Sequence, residues 1–386
     1  MQRSYFDHNA TTPLAPEVLE TVVSCLGQVY GNASSIHHFG QAAKQRLEAA
    51  RRQLASLIHA HPATLVFTSG GTEADNLAVL GVVRAAAESA HPPHVITCAI
   101  EHPAVLAPCA HLERQGAAVT RLRVGAGGMV NPDDVRRALR PGTVLVSIMH
   151  ANNELGTIQP VAEIARIARE AGVPLHVDGV QALGKIPVDV ETLGADLYSM
   201  SGHKVYAPKG VGALYVRKGV RLAPIAFGGH HERDRRPGTE NVPGIAAFGA
   251  AAALAADTLA AESERVAALR DRLENAILDR IPGTGVNGAR WGRTPNTSNM
   301  YFDGIDGEAL VIALDLRGFA VSTGSACSSG AVTPSHVLTA IGLTADRARS
   351  SLRFSLGRSN TAEQVDALLE ALEASVAHLR RISVHA

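Results

Sequence analysis

The chain has few aromatic residues, no excess charge and no dense set of cysteines. Phe, Trp and Tyr make up 4% of its 386 residues, and Lys plus Arg equals Asp plus Glu at 36 each. The lack of a basic tract argues against nucleic acid or an anionic membrane as a partner. No apolar run reaches the length that crosses a bilayer, and residues 1–7 lack a signal-peptide core. We therefore expect a cytoplasmic protein without a membrane partner.

The four cysteines form no C-x-x-C pair, which argues against a zinc site or a disulfide framework. Cys25 and Cys109 fall in helical patterns and Cys98 falls in a strand, so each is predicted to be a small buried apolar residue. Cys327 differs, because Gly, Ser and Ala surround it in residues 322–330, a composition typical of an exposed loop. On composition alone, an idle loop thiol and a reactive thiol are equally compatible with it.

Two other motifs are lacking. No G-x-G-x-x-G follows the first predicted strand, which disfavours a Rossmann dehydrogenase. The 17 histidines include pairs at 37–38 and 230–231, but neither pair has the spaced carboxylate or histidine partners of a metal site. We therefore predict no metal, although a metalloenzyme stays a weaker alternative.

The chain is rich in small and branched apolar residues. Ala, Val, Leu and Ile supply most of the 46% hydrophobic content, which suits buried parallel strands flanked by Ala-rich helices. Helical and strand patterns alternate from about 16 to 255, which indicates an α/β domain with a mostly parallel sheet. A helical stretch at about 243–280 follows, with fewer elements after it. We predict a large domain at 16–255 and a smaller α+β domain formed by 1–15 and 256–386.

Polar residues follow five consecutive predicted strands. In open α/β sheets, ligands bind beyond the carboxyl ends of the strands. Chance polarity explains any one of these strand ends, but it explains five together poorly. The residues are Gly70, Gly71, Thr72 and Glu73; Glu101 and His102; His150, Asn152, Asn153 and Glu154; Asp178 and Gln181; and Ser201, His203 and Lys204.

Lys204 and Asp178 are the most informative members of this set. A lysine that forms a Schiff base and a carboxylate that holds a protonated pyridine nitrogen are the minimum equipment for pyridoxal phosphate (PLP) chemistry. Helix N–H groups suit a phosphate, and a flat imidazole suits stacking on a pyridine ring. Candidate phosphate ligands are Gly71, Thr72, Ser201 and His203; the candidate stacking ring is His102; and the candidate partners of the phenolic oxygen are Gln181 and Asn153.

Nine motifs occur in an order that resembles a known family. They are residues 6–13 (FDHNATTP), 31–35 (GNASS), 68–73 (TSGGTE), 152–156 (NNELG), 176–181 (HVDGVQ), 201–204 (SGHK), 235–241 (RRPGTEN), 324–327 (GSAC) and 352–358 (LRFSLGR). The set spans nearly the whole chain. It resembles the NifS/IscS-type cysteine desulfurases, class-V PLP-dependent enzymes of fold type I.

The resemblance implies conversion of L-cysteine to L-alanine, with sulfur passed to an enzyme persulfide and on to an acceptor or iron–sulfur scaffold protein. It implies Lys204, His102 and Cys327 as catalytic residues, with Cys327 as the nucleophile. Arg353 matches the arginine that grips the substrate carboxylate, near Asn153, and guanidinium suits that task. The resemblance also implies a homodimer with shared active sites, in which Thr239 contacts the phosphate of the other subunit.

Other functions remain open at this point. A selenocysteine lyase or another class-V enzyme, such as an aminotransferase, would use Lys204, Asp178 and Arg353 without needing Cys327. A non-catalytic PLP-binding partner in cluster assembly would require the loss of a key group, and no matched position is lost.

Replacing Cys327 tests its assignment as the nucleophile. We expect Cys327→Ser to keep the yellow colour of bound PLP and to lose sulfur release from L-cysteine, because a hydroxyl cannot hold a persulfide. Absorption spectra and sulfide assays measure both properties. Unchanged turnover in this variant would refute the assignment.

Overall fold

A computed structural model describes residues 3–86, 91–324 and 334–383. The strands are β1 Ser4–Tyr5, β2 Leu65–Thr68, β3 His94–Cys98, β4 Ala118–Leu122, β5 Thr143–Met149, β6 Leu175–Asp178, β7 Leu197–Ser201, β8 Gly212–Val216, β9 Thr284–Val286, β10 Thr297–Phe302, β11 Phe319–Ala320 and β12 Ser351–Ser355. The helices are α1 Pro16–Gln28, α2 His38–Leu57, α3 Gly71–Ala85, α4 Pro103–Arg114, α5 Pro132–Ala138, α6 Val161–Glu170, α7 Val190–Leu193, α8 Val242–Arg280, α9 Gly307–Asp315, α10 His336–Ala340, α11 Ala345–Arg349 and α12 Ala362–Ser383.

Seven strands form the central sheet in the order β2-β8-β7-β6-β5-β3-β4. Strand β8 runs antiparallel to both of its neighbours, whereas each neighbouring pair from β7 to β4 is parallel. The predicted mostly parallel sheet is therefore confirmed. Sequence analysis did not predict β4, because this edge strand is only partly buried and has no continuous apolar run.

Local sequence signals mark the first residues of the helices that border the site. Helix α4 starts with Pro103, whose fixed φ suits the first helical position. The residue before it, His102, accepts a hydrogen bond from the backbone N–H of Ala104 and so caps the helix. Helix α3 starts at Gly71, directly after β2 and a short turn. These signals bring the starts of both helices to the carboxyl edge of the sheet.

The apolar residues form one core on each face of the central sheet and a third around the small antiparallel sheet β12-β10-β9. Helix α8 contributes to two of them. Phe248 near its start packs in a central-sheet core, and Ile277 near its end packs in the third. Phe6 from the N-terminal segment also packs in the third core. The boundaries at 15/16 and 255/256 stay a prediction.

Helix α8 corrects one expectation from the sequence. It is long and apolar enough to cross a membrane by length and composition, with a mean hydropathy of 1.5 over an 18-residue window. The statement that no apolar run reaches this length is therefore wrong. The same window is 44% buried inside the protein, and α8 packs against α1 and α2. Protein therefore covers part of the apolar surface of this helix.

Three cysteines and an ion pair are also buried in the protein. Cys25, Cys98 and Cys109 are buried, as predicted. Arg51 of α2 donates to both carboxylate oxygens of Glu232, at 2.7 and 3.0 Å. Their side chains are only 4% and 3% exposed. Glu232 also accepts from the backbone N–H of Phe67 in β2, so the pair fixes the 231–234 turn against the sheet.

Removing one partner of this pair should destabilise the protein strongly. We expect Glu232→Ala to lower the free energy of unfolding by about 3–5 kcal/mol, because the buried charge of Arg51 would keep only the exposed Glu48 carboxylate, 3.2 Å from its Nε, as a partner. Urea unfolding followed by circular dichroism measures the change. The matched control is Glu113→Ala at the Arg121 pair, whose side chains are 37% and 36% exposed. The control substitution should lower the free energy of unfolding by no more than about 1 kcal/mol. Equal losses of unfolding free energy in both variants would contradict the prediction.

Candidate active site

A cavity of about 580 Å³ lies at the carboxyl ends of β5, β6 and β7. This volume is in the range of sites for small ligands and cofactors. Most of the predicted site residues line it: Gly71, Thr72, His102, Asn153, Asp178, Gln181, Ser201, His203, Lys204 and Arg353. Thr239 is exposed and is not among the lining residues. Cys327 lies outside the described residues.

Lys204 follows β7 in the one-turn helix Gly202–Lys204. Its Nζ donates to the backbone oxygens of Asn9, at 2.5 Å, and Ala10, at 2.7 Å. Burial, followed by the positive charge of Arg353, lowers the pKa of Lys204 to about 8. A large share of this amine is therefore neutral near pH 8, as a nucleophile or a general base requires.

Asp178 ends β6 and is 6% exposed. One of its oxygens accepts from the backbone N–H of Val180 at 3.0 Å. Burial, followed by the negative charge of Asp75, raises the pKa of Asp178 to about 6, against the lowering effect of His102. A cationic partner in the cavity would stabilise this carboxylate. The protonated nitrogen of a pyridine ring is such a partner.

His102 stands at the cavity as the cap of α4. Its Nδ1 accepts the N–H of Ala104 at 3.1 Å, which places the ring proton on Nε2. Burial of the ring is the main cause that lowers the pKa of His102; Asp178 raises it, and Lys204 and His336 lower it further. The ring is therefore a neutral, flat surface at the cavity wall.

The start of α3 supplies a possible anion site. Its first N–H groups have no intrahelical acceptor, and the helix dipole favours negative charge there. A Cβ added to Gly71 would lie 2.7 Å from the Val180 side chain, so only glycine fits at this close approach. Ser201 is buried at the end of β7, and Thr72 and His203 complete this end of the cavity. The donors present match a phosphate.

Arg353 lies in β12 and is 3% exposed. It donates to the Asp7 carboxylate at 2.6 Å and to the backbone oxygen of Asn153 at 2.9 Å. Its Nε is buried and has no hydrogen-bond partner among the described residues. A carboxylate ligand in the cavity is the natural acceptor for this unused donor.

Sequence reasoning gave no role to part of the site. Asp7, Asn9 and His336 line the cavity, and His336 Nε2 lies 2.9 Å from the backbone oxygen of Glu101. Glu154, which the sequence places after a predicted strand, also lines the cavity. Asn9 and His336 do not follow a strand of the central sheet, so a search of strand ends could not assign them a role. The signal that could have found Asn9 is its place in the 6–13 motif.

Two buried acids lie at or next to the cavity: Asp75 is among its lining residues, and Glu101 contacts the end of β5. Burial raises the pKa of Asp75 to about 7 and that of Glu101 to about 8. Glu101 accepts from the backbone N–H of Met149 at 2.8 Å and so holds the end of β5. Within the part of the chain that the structure describes, no group of three or more His, Cys, Asp or Glu residues is placed to hold a metal ion.

Comparison with known proteins decides the family. The model of the family "Aminotransferase class-V" matches residues 4–368. The chain belongs to the class-V aminotransferase family. Its cofactor is PLP, on which the class-V enzymes of this branch depend. The donors around the cavity fit this group at its phosphate, its ring nitrogen and its aldehyde.

The most similar relatives narrow the branch. The chain is 48% identical over 379 residues to "Cysteine desulfurase IscS" from Dictyoglomus turgidum, which covers 98% of this chain and 96% of the relative. A solved "NIFS-LIKE PROTEIN" superposes with a TM-score of 0.92 at 36% identity, covering 98% and 100% of the two chains. The structure "SspA in complex with cysteine" gives 0.81 at 36% identity, covering 92% and 99%. These findings confirm the resemblance and the PLP fold type I, whereas the individual residue roles stay predictions.

The lowered pKa of Lys204 predicts how PLP binding depends on pH. Only the neutral amine attacks an aldehyde. Below pH about 8, the rate at which PLP-free protein binds PLP should rise about tenfold per pH unit, and it should level off above this pH, well below the ordinary lysine value of 10.5. Stopped-flow absorbance measures this rate, and Lys204→Ala gives the background from other lysines.

A second variant tests the cause of this pKa. Arg353 is the largest lowering influence on Lys204 after burial. Arg353→Met should therefore move the plateau to higher pH. A plateau near pH 10 in the unchanged protein would contradict the assignment of Lys204.

Proposed function

We propose that this protein is a PLP-dependent cysteine desulfurase that converts L-cysteine to L-alanine and transfers the sulfur to Cys327. The observation that carries the proposal is that Lys204, Asp178 and Arg353 line one cavity at the carboxyl edge of the sheet. An amine, a carboxylate and a guanidinium in one cavity match the aldehyde, the ring nitrogen and the substrate carboxylate. The similarity to cysteine desulfurases supports this choice of substrate.

PLP supplies an electron sink that accepts the electrons left at the substrate Cα when a proton departs. Residues of this chain hold and tune it. Asp178 would hold the ring nitrogen, the start of α3 with Ser201 and His203 would hold the phosphate, and His102 would stack on the ring. Gln181 and Asn153 would bind the phenolic oxygen.

Lys204 and Arg353 act on the substrate. Arg353 binds the carboxylate of L-cysteine through its unused Nε edge and orients the amino acid. Lys204 would remove the Cα proton of the bound amino acid, and a pKa of about 8 suits that general-base role near neutral pH. Loss of hydration in the cavity strengthens both interactions.

Cys327 takes the sulfur in this proposal. Its thiolate attacks the sulfur of the substrate, the substrate C–S bond breaks, and a persulfide forms on the enzyme while alanine is the product. Gly324 and His336, which are described residues before and after Cys327 in the sequence, both line the cavity. Transfer onward requires this segment to carry the sulfur to an acceptor, which we propose to be an iron–sulfur scaffold or another sulfur-receiving protein.

We further propose a cytoplasmic homodimer. Thr239 is exposed on the surface of the described chain. In the dimer it contacts the phosphate in the cavity of the other subunit, so each active site is completed by its partner.

Product analysis tests the function directly. Purified protein incubated with L-cysteine and a reductant should release alanine and sulfide in equal amounts. Preferential turnover of selenocysteine would instead indicate a selenocysteine lyase, and a keto acid without sulfide would indicate an aminotransferase. Bound PLP without any product would indicate a non-catalytic partner in cluster assembly.

A further inference from the structure

Asn9 is the centre of a closed hydrogen-bond network under the cavity. It is 2% exposed and makes seven hydrogen bonds. Its amide nitrogen donates to the Asn153 backbone oxygen, at 3.1 Å, and to Thr297 Oγ1, at 2.8 Å. These bonds, with those to its two oxygens and its backbone N–H, use every donor and acceptor of an asparagine.

Lys185 is a member of this network that no step above employs. Its Nζ donates to Asn9 Oδ1 at 3.0 Å and to Gln181 Oε1. Its backbone oxygen accepts from Ser263 of α8 at 2.8 Å, which holds the residue in place. Lys185 borders a small second cavity behind Lys204 and is not among the residues that line the large one. It therefore reaches the site through Gln181 and Asn9.

The partners of Gln181 determine which end of its amide is free. Its Nε2 donates to the backbone oxygen of Asn9 at 2.9 Å, and its Oε1 is taken by Lys185. An amide nitrogen carries two hydrogens, and among the described residues this contact uses one. The amide oxygen keeps a second lone pair, but a phenolic oxygen that has lost its proton can only accept. What Gln181 can offer such an oxygen is therefore its second N–H. A flipped amide would lose the Lys185 donation and set Oε1 against a carbonyl oxygen.

From this geometry we infer that Lys185 is a positioning residue, which holds Gln181 so that it donates an N–H to the phenolic oxygen of PLP. The inference rests on the proposed PLP site and adds to it the residue that sets the direction of one hydrogen bond. Lys185 touches neither PLP nor the substrate. Its effect on the cofactor passes through the Gln181 amide.

Several charged or titratable groups surround Lys185, so a purely electrostatic role is the competing explanation. Lys204 and Arg353 lie on the side of the site. In addition to burial, a positive charge on Lys185 lowers the pKa of His8 and of His203. Glu262 and Arg358 line the second cavity together with Lys185. Burial, followed by the positive charges of Lys204 and Arg353, lowers the pKa of Lys185 well below its usual range. Loss of any positive charge that Lys185 carries would also change the ionisation of the cofactor. The test therefore has to separate charge from hydrogen-bond direction.

The ionisation of bound PLP, followed by its absorption spectrum, is the main readout. An N–H donated to the phenolic oxygen stabilises negative charge there, so the chromophore loses its proton at lower pH. We expect Lys185→Met to raise this transition by about 0.5–1 pH unit, which corresponds to the net contribution of one ordinary hydrogen bond. The dissociation constant of PLP should rise about threefold to tenfold.

A double-mutant cycle separates the two explanations. In a Gln181→Ala background, Lys185→Met should leave the spectral transition unchanged, because no amide remains to be positioned. An additive shift in that background would overturn the inference. Lys209→Met is the matched control: this exposed lysine also contributes charge at His203 but has no contact with Gln181. It should leave the transition within about 0.2 pH unit of the unchanged protein.

Two further outcomes keep the inference separate from the proposed function. If Lys185→Met does not fold, Lys185→Gln, which retains a shorter donor, should give a partial shift under the same cycle, and no shift would count against the inference. A wild-type protein that forms no coloured PLP complex would refute the proposed function. A coloured wild type with an identical Lys185→Met spectrum would refute the inference alone.

Discussion

The geometry of the site depends on one buried asparagine, Asn9, whose hydrogen-bond donors and acceptors all have partners. Asn9 binds Lys204 and Gln181 through its backbone oxygen and Asn296 and Lys185 through its side chain. It thereby ties the N-terminal segment to the loops of the central sheet and to the strands of the small sheet. A buried amide with any partner missing carries a cost of about 1–3 kcal/mol, so the arrangement is strongly favoured only when all the partners are present. The reacting lysine is placed by this requirement.

Burial determines how the ionisable groups of the cavity behave. It raises the pKa of Asp178 and lowers that of Lys204, so the two groups approach each other in proton affinity. Each carries charge more readily when a ligand of opposite charge arrives. PLP brings an anionic phosphate, a cationic ring nitrogen and a neutral aldehyde. Opposite charges in the cavity and in PLP would thus stabilise each other on binding.

The parallel sheet explains which residues sequence reasoning could find. Asp178, Ser201 and Lys204 follow strands whose carboxyl ends share one edge, so their proximity follows from the alternating pattern alone. Asn9 and Lys185 act through contacts between distant segments, and no periodicity indicates such contacts. The alternating helix and strand pattern also could not predict that β8 runs antiparallel to its neighbours or that β4 forms an edge of the sheet. Arg353 came from family resemblance, because no local signal connects β12 to the cavity. Cys327 lies outside the described residues and stays a prediction.

Helix α8 has a mechanical consequence for how substrate enters. Its 39 residues form one continuous rod of about 58 Å that is packed into a core at each end. The part of the rod between the two cores, residues 253–265, has no buried side chain. A change in the spacing of the cores during admission of an amino acid would therefore have to bend the helix in this segment, where no core packing opposes the bend.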